Sequence, residues 1–244
     1  MSDTDGSNPY ESPDAVLTTG RTSTAGGSIE ATLNGDSELD FGDVASEAWQ
    51  RTSGLKRILL GGMILFYLGL IVLVAIFQGT GLISEESPLG GMVFQLIITA
   101  LTYPFLAGVI MLCLRQSVDV PIEFGQLFQY YGSVLTLAAI AILVSLLTTV
   151  GFILLILPGI YLSFATMLAI PLHVEKGLGV VDSITTSIKL VNKQLLTVIL
   201  LGLAVIVAIV VGIMTIIGWI WLLPWAMMVM AIIYRQLAGV SFVE

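Results

Sequence analysis

The side chains able to carry metal or acid–base chemistry in this chain are few. His173 is the only histidine, and Glu175 and Asp182 follow it. One imidazole and two carboxylates are of the types that bind metals, but they lack a ligand spacing such as H-E-x-x-H. The pattern therefore favours a lone histidine at a membrane interface over a metal site, and no metal or other cofactor is predicted.

A second set of polar side chains lies inside long apolar segments and carries no charge. Tyr103, which precedes Pro104, is joined in this set by Thr99, Ser163 and Thr166. These residues are candidates for the lining of a small polar cavity between helices. The alternative, which we favour, is that the hydroxyls bond to carbonyls of their own helices, as Ser and Thr do in membranes.

No span predicted below contains Asp, Glu, Lys or Arg. Ionisable groups within a membrane are the usual mark of proton relays and ion pathways. Their absence argues against a proton-coupled pump. The sequence also lacks a converging cluster of titratable groups, so no catalytic residue is predicted and an enzyme is not expected.

Apolar segments dominate the 244 residues, of which 57% are hydrophobic and 11% charged. The chain has no charged side chain from Phe124 to Leu172. That stretch is long enough for two membrane spans, because one helix needs about 20 apolar residues. Lipid offers no partner for exposed backbone groups, which favours helices. The sequence predicts an all-α bundle of six transmembrane helices, at 58–77, 90–114, 133–150, 152–172, 195–216 and 219–234.

Charge predicts the orientation of this bundle. The basic residues beyond the N-terminal region all fall on one side of the six spans: Arg51, Lys56, Arg57, Arg115, Lys176, Lys189, Lys193 and Arg235. The positive-inside rule then places both termini in the cytoplasm. The expected location of the protein is the bacterial cytoplasmic (inner) membrane. Trp219 and Trp221 are expected at the outer boundary, where indole rings favour the interface.

The acidic character of the chain is concentrated at its start, since ten of the 17 acidic residues precede Thr52. Residues 1–36 are polar and are predicted to be a disordered cytoplasmic tail. Residues 37–239 form the predicted transmembrane domain, and 240–244 a short C-terminal tail.

The turn-forming cluster 8–13 is a candidate docking motif, although a solvated tail is favoured. No basic surface remains for nucleic acid.

The sequence contains three copies of a common pattern of prolines, arginines and apolar stripes. Pro104 and Pro224 are each followed at the same spacing by an Arg-Gln pair, and Pro158 lies at the equivalent depth of the fourth span. All three prolines are predicted to kink their helices. Segments 39–44 and 122–127 also match, and each begins a one-sided apolar stripe. We expect a repeated unit made of an interfacial helix and a helical hairpin.

These motifs are similar to those of a bacterial membrane-domain family. The LPGIY element at 157–161, the EKGLG turn at 175–179 and the YRQL sequence at 234–237 carry the resemblance. The chain resembles, over about 39–239, the six-helix membrane domain attached to some glycerophosphodiester phosphodiesterases and related stand-alone multi-pass proteins. The resemblance implies a fold but no activity, because the phosphodiesterase chemistry belongs to a separate soluble domain.

The sequence therefore favours a non-enzymatic integral membrane protein that acts by interaction with lipids or other membrane proteins. The alternative is a transporter or lipid-handling protein with a cavity among the proline-kinked helices. Those kinks are the feature that supports the alternative, because irregular helix often lines a cavity.

Overall fold

Helices form nearly all of the part of the chain that the computed structural model describes, which is residues 25–80, 88–214 and 218–242. A short 3₁₀ helix spans Phe124–Ser133. The α-helices are α1 (Ile29–Asn34), α2 (Phe41–Thr80), α3 (Pro88–Ser117), α4 (Val134–Leu154), α5 (Ile156–Ala165), α6 (Ala169–Lys176), α7 (Val180–Lys193), α8 (Leu195–Met214) and α9 (Gly218–Ala238).

Within these described ranges, six helical segments are long and apolar enough to cross a membrane. They are Phe41–Gly79, Leu89–Ser117, Phe124–Leu154, Ile156–Lys176, Leu195–Gly212 and Ile220–Ala238. The predicted all-α, multi-pass architecture is therefore confirmed, whereas the threefold repeat and the orientation stay predictions.

The first span differs from the prediction, because it is not preceded by a separate interfacial helix. A single helix of 40 residues, α2, contains both the amphipathic start and the span. No proline interrupts this stretch, and Glu47 and Arg51 form an ion pair one helical turn apart, with 2.7 Å between carboxylate oxygen and Nε. Such a pair stabilises helix at the point where a boundary was predicted.

The prolines occupy two kinds of position. Pro104 and Pro224 lie inside α3 and α9, as predicted. By contrast, Pro158 lies in the first turn of α5, where a missing N–H costs no helical hydrogen bond. The lost hydrogen bond on which the predicted kink depends therefore does not arise at this position. The fourth span is instead interrupted at Thr166–Leu168, between α5 and α6.

Part of the predicted disordered tail is folded onto the bundle. Ser28 caps α1 by accepting a hydrogen bond from the Ala31 N–H at 3.1 Å. Thr32 is buried and donates to the Leu237 carbonyl at 2.7 Å. Ala25 and Val240 exchange two backbone hydrogen bonds. Residues 25–36 are held against the bundle because they bond backbone groups in the last turn of α9 and just after it. Residues 1–24, including the cluster 8–13, lie outside the described chain.

α9 is the central helix of the bundle and packs against α2, α3 and α8. Its inner face buries Met228, Ile232 and Leu237 completely.

On the neighbouring helix α3, Gly108 lies against the 3₁₀ helix. A Cβ atom at this position would lie 2.1 Å from the Leu127 carbonyl oxygen. A glycine is therefore needed for these two backbones to approach.

We expect Gly108→Ala to destabilise the bundle by about 1–3 kcal/mol, the usual cost of overpacking. Thermal unfolding in detergent micelles measures the change. Gly69→Ala on α2 is the matched control, because no heavy atom lies within 4 Å of its added Cβ. Equal melting temperatures for the two variants would contradict the close approach.

The predicted orientation has its own test. α7 lies on the side of the membrane that is predicted to be cytoplasmic, so a cysteine on its exposed face can report the orientation. Thr185 is exposed and suits this purpose, whereas Ser187 on the same helix is buried. A cysteine at Thr185 should react with a membrane-impermeant maleimide only after the membrane is opened. A cysteine at Ser87, in the predicted outer loop outside the described residues, should react in intact cells. Labelling of both positions from the same side would refute the six-span topology.

Candidate functional site

Three of the four side chains predicted as candidate cavity lining donate hydrogen bonds to carbonyls of the preceding helical turn. Ser163 donates to the Gly159 carbonyl at 2.9 Å, Thr166 to Leu162 at 2.8 Å, and Thr99 to Gln95 at 2.8 Å. This is the backbone-bonding arrangement that the sequence favoured.

The structure does not assemble the four candidates into one site. Thr99 and half-buried Tyr103 lie on α3, which packs against α2, α4, α6, α9 and the 3₁₀ helix. Ser163 lies on α5, which packs against α4, α7 and α8. Tyr103 and Ser163 therefore belong to different parts of the bundle.

Ser163 does border a cavity, which α5, α8 and α9 form together. The cavity has a volume of about 420 Å³. Its lining is apolar except for the Ser163 hydroxyl: Ser163, Phe164, Met167, Val198, Gly202, Val205, Ile206, Ile209, Ala226, Met227, Val229, Met230 and Ile233. The cavity reaches the surface that faces lipid, because Ile206 is 49% exposed.

Small and flexible side chains shape this cavity. The Phe164 ring packs against Gly202, where an added Cβ would lie 2.0 Å from a ring carbon. This contact sets how closely α5 approaches α8. Met167, Met227 and Met230 contribute unbranched side chains that adapt to irregular shapes. The wall is therefore deformable and suits an apolar occupant of variable shape.

Ser187 on α7 bridges the break in the fourth span. Its hydroxyl donates to the Ala165 carbonyl at 2.7 Å and accepts from the Leu168 N–H at 3.1 Å. Both backbone groups lose helical partners at the break. The sequence patterns assigned Ser187 no role. Its position on the buried stripe of an amphipathic helix, beside Ile184 and Leu190, was the available signal.

Charged residues pair with one another at the end of the bundle where α3 and α9 terminate. Arg51 binds Glu47 at 2.7 Å and Asp119 at 2.9 Å. Arg235 on α9 binds the same Glu47 at 2.6 Å and also donates to the Ser117 carbonyl. These contacts join α2, α3 and α9. We name this set of residues the ionic clamp.

The structure does not bring His173, Glu175 and Asp182 together into a metal site. His173 Nδ1 lies 2.6 Å from the Leu178 carbonyl oxygen and must carry the proton, because a carbonyl only accepts. The Glu175 side chain is 2% exposed and accepts from the Tyr234 hydroxyl at 2.7 Å and the Ser241 N–H at 2.8 Å. Asp182 is exposed. Among the described residues, no three His, Cys, Asp or Glu side chains could hold a metal ion.

The location of Trp221 differs from the prediction. It was expected at the outer boundary, opposite Lys56, yet its ring stacks on Trp49 with 6.2 Å between centroids, and Lys56 Nζ lies over it. The first turns of α2 lie across α9, and the Trp225 indole N–H donates to the Ala45 carbonyl at 3.1 Å. The first turns of α2 therefore cover part of α9.

We expect Ser187→Ala to lower stability by about 1–2 kcal/mol, because it leaves two buried backbone groups without their partner. Thermal unfolding in micelles measures the loss. Thr185→Ala removes a hydroxyl from the exposed face of the same helix and is the control. A Ser187→Ala protein as stable as the control would show that the break needs no bridge.

Comparison with known proteins finds distant relatives without a described function. An uncharacterized protein of Mycobacterium bovis is 27% identical over 178 residues, which are 69% of this chain and 54% of that protein. Two uncharacterized proteins of Mycobacterium tuberculosis, from strains CDC 1551 and H37Rv, are 27% and 26% identical over the same length. The chain spans about half the length of these curated relatives. No protein-family model and no solved structure matches it. The resemblance to the membrane domain of glycerophosphodiester phosphodiesterases stays a prediction.

Proposed function

We propose that this chain is a non-enzymatic protein of the bacterial inner membrane that acts by binding lipid within the bilayer. The observation that carries the proposal is the apolar cavity between α5, α8 and α9, about 420 Å³ in volume and bordered by the exposed Ile206. Membrane lipids are the proposed partners, and other membrane proteins that contact the exposed apolar faces are a further class.

An acyl chain is the occupant that this lining favours. A polar solute would lose its hydration without gaining hydrogen bonds, because the Ser163 hydroxyl already donates to Gly159. An empty cavity would leave its wall without dispersion contacts. Lipid tails surround the bundle and are as apolar as the wall, so the gain comes from packing and not from removal of water.

The charged groups of the described chain support interaction in preference to catalysis. In the ionic clamp Glu47 pairs with both Arg51 and Arg235, and each arginine also donates to a backbone carbonyl. Glu175 is likewise enclosed by Tyr234 and the Ser241 N–H. These groups hold elements together and do not line the cavity.

The alternative function, a lipid-handling protein with a cavity among proline-containing helices, is supported by the same cavity. Pro158 lies in α5 and Pro224 in α9, and both helices contribute to the wall. Pro104 lies in α3, away from this wall. Lipid binding is thus common to both functions, and transport of a polar solute is not proposed.

We expect Ile206→Trp to fill the cavity and to reduce capture of a phospholipid that carries a photoreactive diazirine on its acyl chain. The reconstituted protein is illuminated, and mass spectrometry locates the adducts. The wild-type protein should carry adducts on peptides of α5, α8 and α9, and the variant should lose them.

Val207→Trp is the matched control, because Val207 is 62% exposed, next to Ile206, and outside the cavity lining. It should retain the wild-type adducts. Gel filtration confirms that both variants are folded. Equal labelling of the wild-type protein and both folded variants would overturn the proposal that the cavity holds lipid.

A further inference from the structure

We infer that the cavity takes an anionic phospholipid, whose phosphate headgroup binds Asn192 and Lys193 at the end of α7. This inference rests on the proposed function and adds the headgroup and its orientation to it. Asn192 and Lys193 are both exposed and directly precede Gln194, the single residue that joins α7 to α8.

The orientation follows from the chemistry of the two ends of the cavity. α8 enters the wall at Val198 and leaves it at Ile209. Before Val198 the chain offers an amide and an ammonium group within two helical turns. After Ile209 it offers Val210 and Val211, which are exposed and apolar. Among the described residues that flank the cavity along α8, polar side chains therefore lie where α8 begins, and a lipid whose chain follows α8 would place its headgroup there.

Tyr161 fixes the position of the amide. The Tyr161 hydroxyl on α5 donates to Asn192 Oδ1 at 2.8 Å. This contact ties the end of α7 to a helix that forms the cavity wall. Because Oδ1 accepts from the tyrosine, the other end of the Asn192 amide is an NH₂ donor. A phosphate oxygen is an acceptor that such a donor suits.

Charge selects an anionic headgroup. α7 is amphipathic, with Ile184, Leu190 and Val191 buried. Lys189 and Lys193 lie one turn apart on its exposed face. Lysines on an interfacial amphipathic helix attract anionic lipids and present three donors each. The acidic residue of this helix, Asp182, lies in its first turn, at the end remote from Lys193.

The test compares two photoreactive phospholipids that have the same diazirine acyl chain and differ in headgroup. One is phosphatidylglycerol, which is anionic, and the other is phosphatidylcholine, which has no net charge. Each is placed in vesicles of phosphatidylcholine with the full chain. We expect severalfold more adducts on α5, α8 and α9 from the phosphatidylglycerol probe, and less preference at high salt because screening weakens surface charge interactions.

Lys193→Gln should remove most of this preference and leave the labelling by the phosphatidylcholine probe unchanged. Asn192→Leu should lower labelling by both probes, because both headgroups carry the phosphate that the amide binds. Arg57→Gln is the matched control, because it removes one exposed positive charge from α2, far along the chain from the cavity. It should keep the wild-type preference.

The outcomes separate the two proposals. Equal labelling of the wild-type protein by both probes, or the same loss of preference in Arg57→Gln and Lys193→Gln, would overturn the headgroup inference. The cavity proposal would stand in that case if Ile206→Trp still removed the adducts. Labelling that Ile206→Trp leaves unchanged would overturn both.

Discussion

Backbone hydrogen bonding in a solvent without hydrogen-bond partners is the constraint on which the rest of this structure depends. Within a bilayer each N–H and C=O group must find a partner in the protein. Where the helices are regular, they supply it themselves. At the break in the fourth span, the Ser187 hydroxyl supplies a partner to one carbonyl and one N–H that the helices leave unbonded. The Tyr131 hydroxyl donates to the Leu101 carbonyl of α3 at 3.0 Å, three residues before Pro104.

The same constraint explains the arrangement at the end of α9. A helix leaves its last carbonyls without partners. The Leu237 carbonyl accepts from Thr32, and the Arg235 carbonyl accepts from the Gly27 N–H at 3.0 Å. An added Cβ at Gly27 would lie 1.9 Å from the Gln236 carbonyl oxygen, so the segment approaches closely because it lacks side chains there. The N-terminal segment thus completes the bundle.

Helix packing, once the backbone is satisfied, leaves a cavity between α5, α8 and α9, which is the lipid site that we propose. The contact between Phe164 and Gly202 brings α5 to α8, and the small Ala226 on α9 leaves space beside them. The exposed face of α7 adds amide and ammonium groups where α8 begins. The proposed phospholipid would place its acyl chain in the apolar cavity and its headgroup at these polar groups, so no ionisable group is needed inside the membrane.

The sequence by itself determined the class of the protein, since the uncharged stretch from Phe124 to Leu172 and its counterparts require helices that cross a bilayer. It also indicated that hydroxyls such as Ser163 would bond their own helices. Only the tertiary structure decided that Pro158 lies in the first turn of a helix, that residues 25–36 bond the end of α9, and that Trp221 stacks on Trp49. Hydrophobicity is a property of each segment alone and can be read along the chain. The partner of a freed carbonyl or an indole ring lies far away in sequence, and only packing brings the two together.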